Sequence, residues 1–149
     1  MFDIAPLKTP QQNELEAFLV SVFGEDERAL AQSYIASMFS NDFRKPHFLV
    51  AMDNGCIIGA ACYTQELFTI GTWGISWVSV DEGHRHKGVG AALIQTCCDD
   101  IEKHAPECTI LLGTYPHKTK LYEDLGFKKS GKDHWGGDFM IKHLGGSAS

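Results

Sequence analysis

The chain has 149 residues, 44% of them hydrophobic and 21% charged, which suits one compact domain and leaves no room for a second full one. A chain of this length buries roughly 68 to 70% of the surface its unfolded form exposes, so its core needs neither a disulfide framework nor a structural metal. The formal charge of -6 argues against a broadly basic face, and so against a general nucleic-acid or anionic-membrane binder.

Met1 to Pro10 lacks the basic start and apolar stretch of a signal peptide, and no later run reaches the ~18 apolar residues of a membrane span. These features predict a cytoplasmic protein. Thr9-Pro10-Gln11-Gln12 reads as a capping box, with Thr9 as N-cap and Pro10 in the first helical position, opening a helix through about Phe23. Leu15, Phe18, Leu19 and Val22 line one face of it. A second helix follows Gly24, carrying Leu30, Tyr34, Ile35, Met38 and Phe39 at helical spacing up to the polar break Ser40-Asn41-Asp42.

The period then changes. His47 to Met52 and Cys56 to Tyr63 predict antiparallel strands joined by a tight turn at Asn54-Gly55. Thr72 to Val80 is a third β run, on which Trp73 and Trp77, four apart, should face the same side. The helical period returns at Gly88, with Val89, Ala92, Leu93, Thr96, Cys97 and Ile101 on one face up to Lys103-His104. Cys108 to Leu112 is a short apolar strand of the kind buried inside a sheet, which makes residues 72 to 112 a βαβ unit with parallel outer strands. Lys118 to Leu125 predicts a short helix closed by Gly126, and Phe127 to Lys129 with Asp138 to Leu144 a closing strand pair. The expected fold class is a mixed α/β sheet with helices on both faces, one domain over residues 1–144 and a disordered tail over 145–149. Five cysteines, two adjacent and most in apolar contexts, predict free and mostly buried thiols.

The segment Val78 to Leu93 carries the chemistry. It joins a strand to a helix through Gly88 and Gly90, with Arg85, His86 and Lys87 just upstream. Uncovered amides at a helix start, together with the positive end of its dipole, attract phosphate, and glycine lets the phosphate approach closely. His84 and His86 read as a cationic pair beside that phosphate rather than as metal ligands, and no metal is expected. A nucleotide P-loop is disfavoured because Val89 and Gly90 stand where Lys and Ser or Thr are needed. A dinucleotide fingerprint is disfavoured because Leu93 stands where a third small residue is needed.

Arg85-His86-Lys87-Gly88-Val89-Gly90 resembles motif A, [RQ]-x-x-G-x-[GA], of the GNAT superfamily of N-acetyltransferases. Leu121-Tyr122-Glu123-Asp124-Leu125-Gly126-Phe127 resembles that family's L-Y-x-x-x-G-F motif, and the order of the other elements agrees over most of the chain. The resemblance implies a mostly antiparallel sheet in which two parallel strands splay apart. It implies acetyl-CoA as cosubstrate, its pyrophosphate on the amides of Arg85, His86, Lys87, Gly88, Val89, Gly90 and Ala91 and its pantetheine along Val78, Ser79 and Val80. It implies direct attack by a primary amine of a small molecule or a protein, with Tyr122 as acid for the leaving thiolate and a backbone N–H at or near Val80 polarising the carbonyl. Glu66 is the candidate general base, against the alternative of a solvated loop glutamate.

Many relatives carry a cofactor-contacting Asn seven residues before the motif tyrosine. This chain has Tyr115 there, which leaves Tyr115 or Thr114 to take over the contact. The tryptophans read either as core or as an aromatic wall for a cationic acceptor. The competing function is a non-catalytic acyl-CoA-binding sensor or interaction module of the same fold. Homodimerisation through terminal strands or exposed aromatics stays open, and neither nucleic acid nor membrane is an expected partner.

Overall fold

The computed structural model describes residues 1–67 and 69–145. Along them run β1 (Asp3–Pro6), α1 (Gln12–Phe23), α2 (Arg28–Met38), β2 (His47–Asp53), β3 (Cys56–Gln65), β4 (Thr72–Val80), α3 (Val89–His104), β5 (Cys108–Thr114), α4 (Thr119–Asp124), β6 (Lys128–Lys132) and β7 (Asp138–Leu144). The strands form one sheet in the order β1-β2-β3-β4-β5-β7-β6. Every neighbouring pair is antiparallel except β4 and β5, which are parallel as the βαβ pattern requires. β7 inserts between β5 and β6, so the closing strand pair adds to the sheet through its second strand.

The local rules behind these elements are visible. Asn54 (φ 51°) and Gly55 (φ 77°) both adopt the positive φ of a two-residue hairpin turn, bracketed by the pair Asp53 and Cys56. The first helix starts one residue earlier than its sequence suggests. Lys8 is the capping position, its N–H donating to Gln11 Oε1 at 2.8 Å, and one 3-10 turn over Thr9–Gln11 leads into α1.

The sheet separates two apolar layers. Leu15 and Leu19 of α1 and Ala31 and Ile35 of α2 pack on one face against Phe48, Val50 and Cys62. On the other, Val89, Leu93, Ile94, Cys97 and Ile101 of α3 pack with Tyr122 and Phe127 against Leu49, Ala51, Trp73, Ile75 and Ile110. β2 shows the period plainly, Phe48 and Val50 facing the first layer, Leu49 and Ala51 the second.

The two tryptophans do not share a face. Trp73 lies in the α3 layer, whereas Trp77 lies against α1 and α2, its ring edge-on to Phe23 at 5.3 Å and Tyr34 at 5.6 Å. The cause is a bulge. The β3–β4 register skips between Cys62↔Ser76 and Ala60↔Ser79, and Trp77 takes a left-handed φ of 56°. One extra residue reverses the alternation, so Val78 and Val80 return to the α3 layer. Ser79 Oγ closes the bulge by donating to the Trp77 carbonyl at 3.0 Å.

All five cysteines are free; Cys62, Cys97, Cys98 and Cys108 are buried and Cys56 is exposed. Burial pushes the Cys62 thiol up to about 12 and that of Cys98 to about 11, so both stay protonated packing groups. Among the described residues no helix is long and apolar enough to cross a membrane. Of the tail expected to be disordered, residues 146–149 lie outside the described part of the chain.

Candidate active site

β4 and β5 pair only through Thr72–Gly74 and Thr109–Leu111. Beyond those residues the strands part, because the bulge at Trp77 bends β4 away while β5 stays paired with β7 along its whole length. The edge of β4 from Ile75 to Val80 therefore faces a gap instead of a neighbour. Asp81 N–H is taken by Ile58 O at 2.7 Å, and amides along a strand alternate in direction, which turns the Val80 N–H and C=O to the gap side. Consistent with this, the Val80 carbonyl accepts Arg85 Nε at 3.4 Å.

At the outer end of the gap stands the start of α3. Gly88, left-handed at φ 82°, precedes it, and no side chain caps it. Ala92 N–H, bonded to Gly88 O at 3.0 Å, is the first amide of the helix to find its partner, which leaves those of Val89, Gly90 and Ala91 directed outward. Val89 is buried and anchors the turn, while Arg85, His86, Lys87 and Gly88 are exposed around it. Orphan amides and a helix dipole flanked by three basic side chains favour an anion here. His84 is not part of this cradle. Its Nδ1 lies 2.9 Å from Asp81 Oδ2 and its Nε2 3.4 Å from Asp53 Oδ2, so it clips the loop to the β2–β3 hairpin, and its contact holds the Asp81 carboxyl below the usual range.

Inside the gap α4 presents Tyr122. The L-Y-x-x-x-G-F stretch is a helix terminator. Gly126 (φ 95°) donates its N–H to Glu123 O and Phe127 its N–H to Tyr122 O, each at 3.0 Å, the paired bonds of a Schellman motif. Phe127 then meets the Tyr122 ring edge-on at 6.0 Å, which is the apolar contact such a motif uses. Tyr122 is 4% exposed, and burial pushes its phenol up to about 12, with the Thr114 hydroxyl pulling the other way. Thr114, the last residue of β5, is thus the one brought to the phenol. Tyr115 points out, half exposed, stacked with His117 at 5.7 Å and edge-on to Trp135 at 5.1 Å.

Two cavities share Ile75, Ser76, Leu112 and Gly113 as a common wall. One, of about 190 Å³, is lined by Trp77, Val78, Thr114, Tyr115, Tyr122 and Trp135. The other, of about 650 Å³, sits at the apex of the gap, lined by Tyr34, Asp42, Arg44, Glu66, Gly74 and Phe139 among others. Glu66 follows β3 and is held by its N–H to Thr72 O at 2.8 Å. Its carboxylate lies over Gly74, where any Cβ would collide with Glu66 Oε1, so a glycine at 74 makes room for the acid. The buried phenol and the carboxylate thus lie in adjoining cavities that share one wall, and the free edge of β4 leads from them to the turn into α3. In the sequence Tyr34 reads only as part of a helix face, Asp42 only as part of a polar break and Arg44 not at all, since they come from α2 and the loop after it and carry no motif.

The acetyltransferase (GNAT) family profile matches residues 12–127. Among solved structures, a GNAT-family structure from Desulfovibrio desulfuricans is similar at 23% identity and TM-score 0.80, covering 97% of this chain and 99% of that one. PaiA N-acetyltransferase of Thermoplasma acidophilum, solved with coenzyme A, is similar at 15% identity and TM-score 0.76, covering 97% and 99%. A ribosomal-protein-alanine N-acetyltransferase of Escherichia coli is similar at 19% identity and TM-score 0.75, covering 100% and 97%. Among curated proteins none matches the sequence significantly. With its splayed strands, its glycine turn into α3 and a family match over most of its length, the chain belongs to the GNAT acetyltransferase family.

Proposed function

We propose that residues 1–144 act as one cytoplasmic N-acetyltransferase domain that moves an acetyl group from acetyl-CoA to a primary amine of a small molecule or a protein. The observation that carries this reading is the gap between β4 and β5, with the outward amides of α3 at its outer end and the buried Tyr122 within it. Coenzyme A in a related structure of the same fold agrees with it.

In this reading the cosubstrate's pyrophosphate lies on the amides from Arg85 to Ala91, and its pantetheine amides pair with the open edge at Val78 to Val80. Glu66, at the gap's apex, removes a proton from the ammonium, directly or through water. The neutral amine attacks the thioester carbonyl, forming a C–N bond. The oxyanion that develops receives the Val80 N–H. Collapse breaks the C–S bond, Tyr122 protonates the sulfur, and the second proton leaving the nitrogen passes through water to restore the phenol. A phenol held near 12 is too weak an acid to lose its proton early and is always loaded when thiolate charge builds.

The test is the thermal midpoint of the protein with saturating acetyl-CoA, CoA or ATP, followed by thiol release with amines. A ligand at ~100 times its dissociation constant adds about 2.7 kcal/mol. A rise with both CoA forms and none with ATP is expected. No rise with either CoA form overturns the reading, and binding without turnover of any amine reduces it to an acyl-CoA-binding module.

A further inference from the structure

We infer that the acceptor is a zwitterion, an amine that also carries a carboxylate, and that Arg44 recognises the carboxylate. The inference rests on the acetyl-transfer reading above and deepens it. The cavity at the apex of the gap, about 650 Å³, has opposite charges in its wall, the Glu66 carboxylate over Gly74 on one side and Asp42 with the Arg44 guanidinium from the loop after α2 on the other. Its size suits a small metabolite.

Arg44 is unusual in what it lacks. Its Nε is shut off from solvent, and among the described residues it is the buried side-chain nitrogen or oxygen with no hydrogen-bond partner. Asp42, the nearest acid in sequence, uses Oδ1 to accept the backbone N–H of Arg44 at 2.9 Å. No carboxylate among the described residues forms an ion pair with the guanidinium, which leans instead on the Phe43 ring at 4.8 Å. A guanidinium always carries its charge, and Arg44 lines the cavity with no ion-pair partner among the described residues, which leaves that charge to an oxygen of the ligand. A carboxylate is the group whose two oxygens match its fork. Glu66 at the same cavity takes the amine end, so the walls complement a molecule with both charges rather than a simple cationic amine.

The experiment follows thiol release from acetyl-CoA with β- and γ-amino acids, L-α-amino acids and dipeptides, each beside its carboxamide. The expected result is a kcat/KM at least about tenfold higher for the carboxylate member of the preferred pair, a factor that corresponds to about 1.4 kcal/mol. Arg44→Gln should erase that preference by raising KM for the carboxylate member, with the acetyl-CoA midpoint shift retained. Arg44→Lys should restore part of it. Equal rates within every pair, no acetylation of any carboxylate-bearing amine, or a preference that survives Arg44→Gln would overturn the inference. If Arg44→Gln does not fold, the wild-type pairs and Arg44→Lys decide. Failure of the donor reading is separately visible, since wild-type protein would then show no midpoint rise with acetyl-CoA.

Discussion

The two ends of the β4–β5 pair have opposite characters. At the closed end, Thr72–Gly74 bond to Thr109–Leu111, and Trp73 is sealed among Tyr63 at 6.1 Å and His104 at 5.8 Å, with His47 stacked on Tyr63 at 4.9 Å. At the open end the same strands leave backbone unpaired, and Ile75, Ser76, Leu112 and Gly113 line the space between them. The difference is not one of β propensity, because Ile75, Val78, Val80 and Leu112 suit strands as well as anything at the closed end. It arises from one inserted residue at the bulge, which shows that a site can be made by interrupting a sheet rather than by adding to it.

That contrast predicts that changes at the closed end alter stability and changes at the open end alter turnover. The largest effect belongs to Trp73→Ala, which should cost about 3 to 5 kcal/mol in urea unfolding while the KM for acetyl-CoA of the folded fraction stays put. A fall in acetyl-CoA affinity instead would mean that the two ends are coupled.

Tyr122→Phe keeps the ring that meets Phe127 and removes only the hydroxyl. It should lower kcat by roughly 10²- to 10³-fold with acetyl-CoA affinity little changed, by steady-state kinetics and calorimetry. The phenol also has a pH signature. Its folded value of about 12 lies above an unfolded value near 10, so its neutral form contributes stability that is whole below pH ~10 and lost as pH rises to about 12. The wild type should lose more stability over that interval than Tyr122→Phe.

Gly74→Ala sits on the border between the two ends. A Cβ there displaces the Glu66 carboxylate, so kcat should fall about tenfold while the midpoint shift with acetyl-CoA is retained. Unchanged turnover would remove Glu66 from the role of base.

The smallest effect near neutrality concerns Asp138, which accepts Thr119 Oγ1 at 2.5 Å and Lys132 Nζ at 2.7 Å and so ties α4 to the closing strands. Those bonds, with Lys129 nearby, hold its carboxyl down at about 2 from an ordinary value of 3.8. The stability it contributes is therefore whole above pH 3.8 and lost as pH falls toward 2. Asp138→Asn should flatten acid unfolding over that window, followed by tryptophan fluorescence.

Much of this was legible beforehand for a physical reason. The Asn54-Gly55 turn, the Gly88 entry to α3 and the Gly126 terminator are places where the backbone needs a positive φ, and glycine or asparagine announces such places in any sequence. Their neighbours in the chain complete the geometry, so local reading suffices for the turn into α3 and for Tyr122. What stayed hidden depends on distant partners. β1 is a four-residue edge strand, half exposed, whose Asp-Ile-Ala-Pro carries no alternation to detect. Trp77 takes its left-handed φ without a glycine, so nothing local warned that it would cross to the other face. Arg44 and Asp42 reach the groove only because β2 returns the chain beside β3, a consequence of pairing and not of spacing.

The two apolar layers described above touch only through the sheet. The turn into α3 and Tyr122 are rooted in one layer; Tyr34 and the loop bearing Asp42 and Arg44 hang from the other. A chain built this way has two halves that meet where Trp77 of one lines the cavity holding Tyr122 of the other. On the proposed reading, substitutions on the α1–α2 side that reshape the cavity around Arg44 leave the packing under the turn into α3 intact, so acceptor preference changes without loss of acetyl-CoA binding.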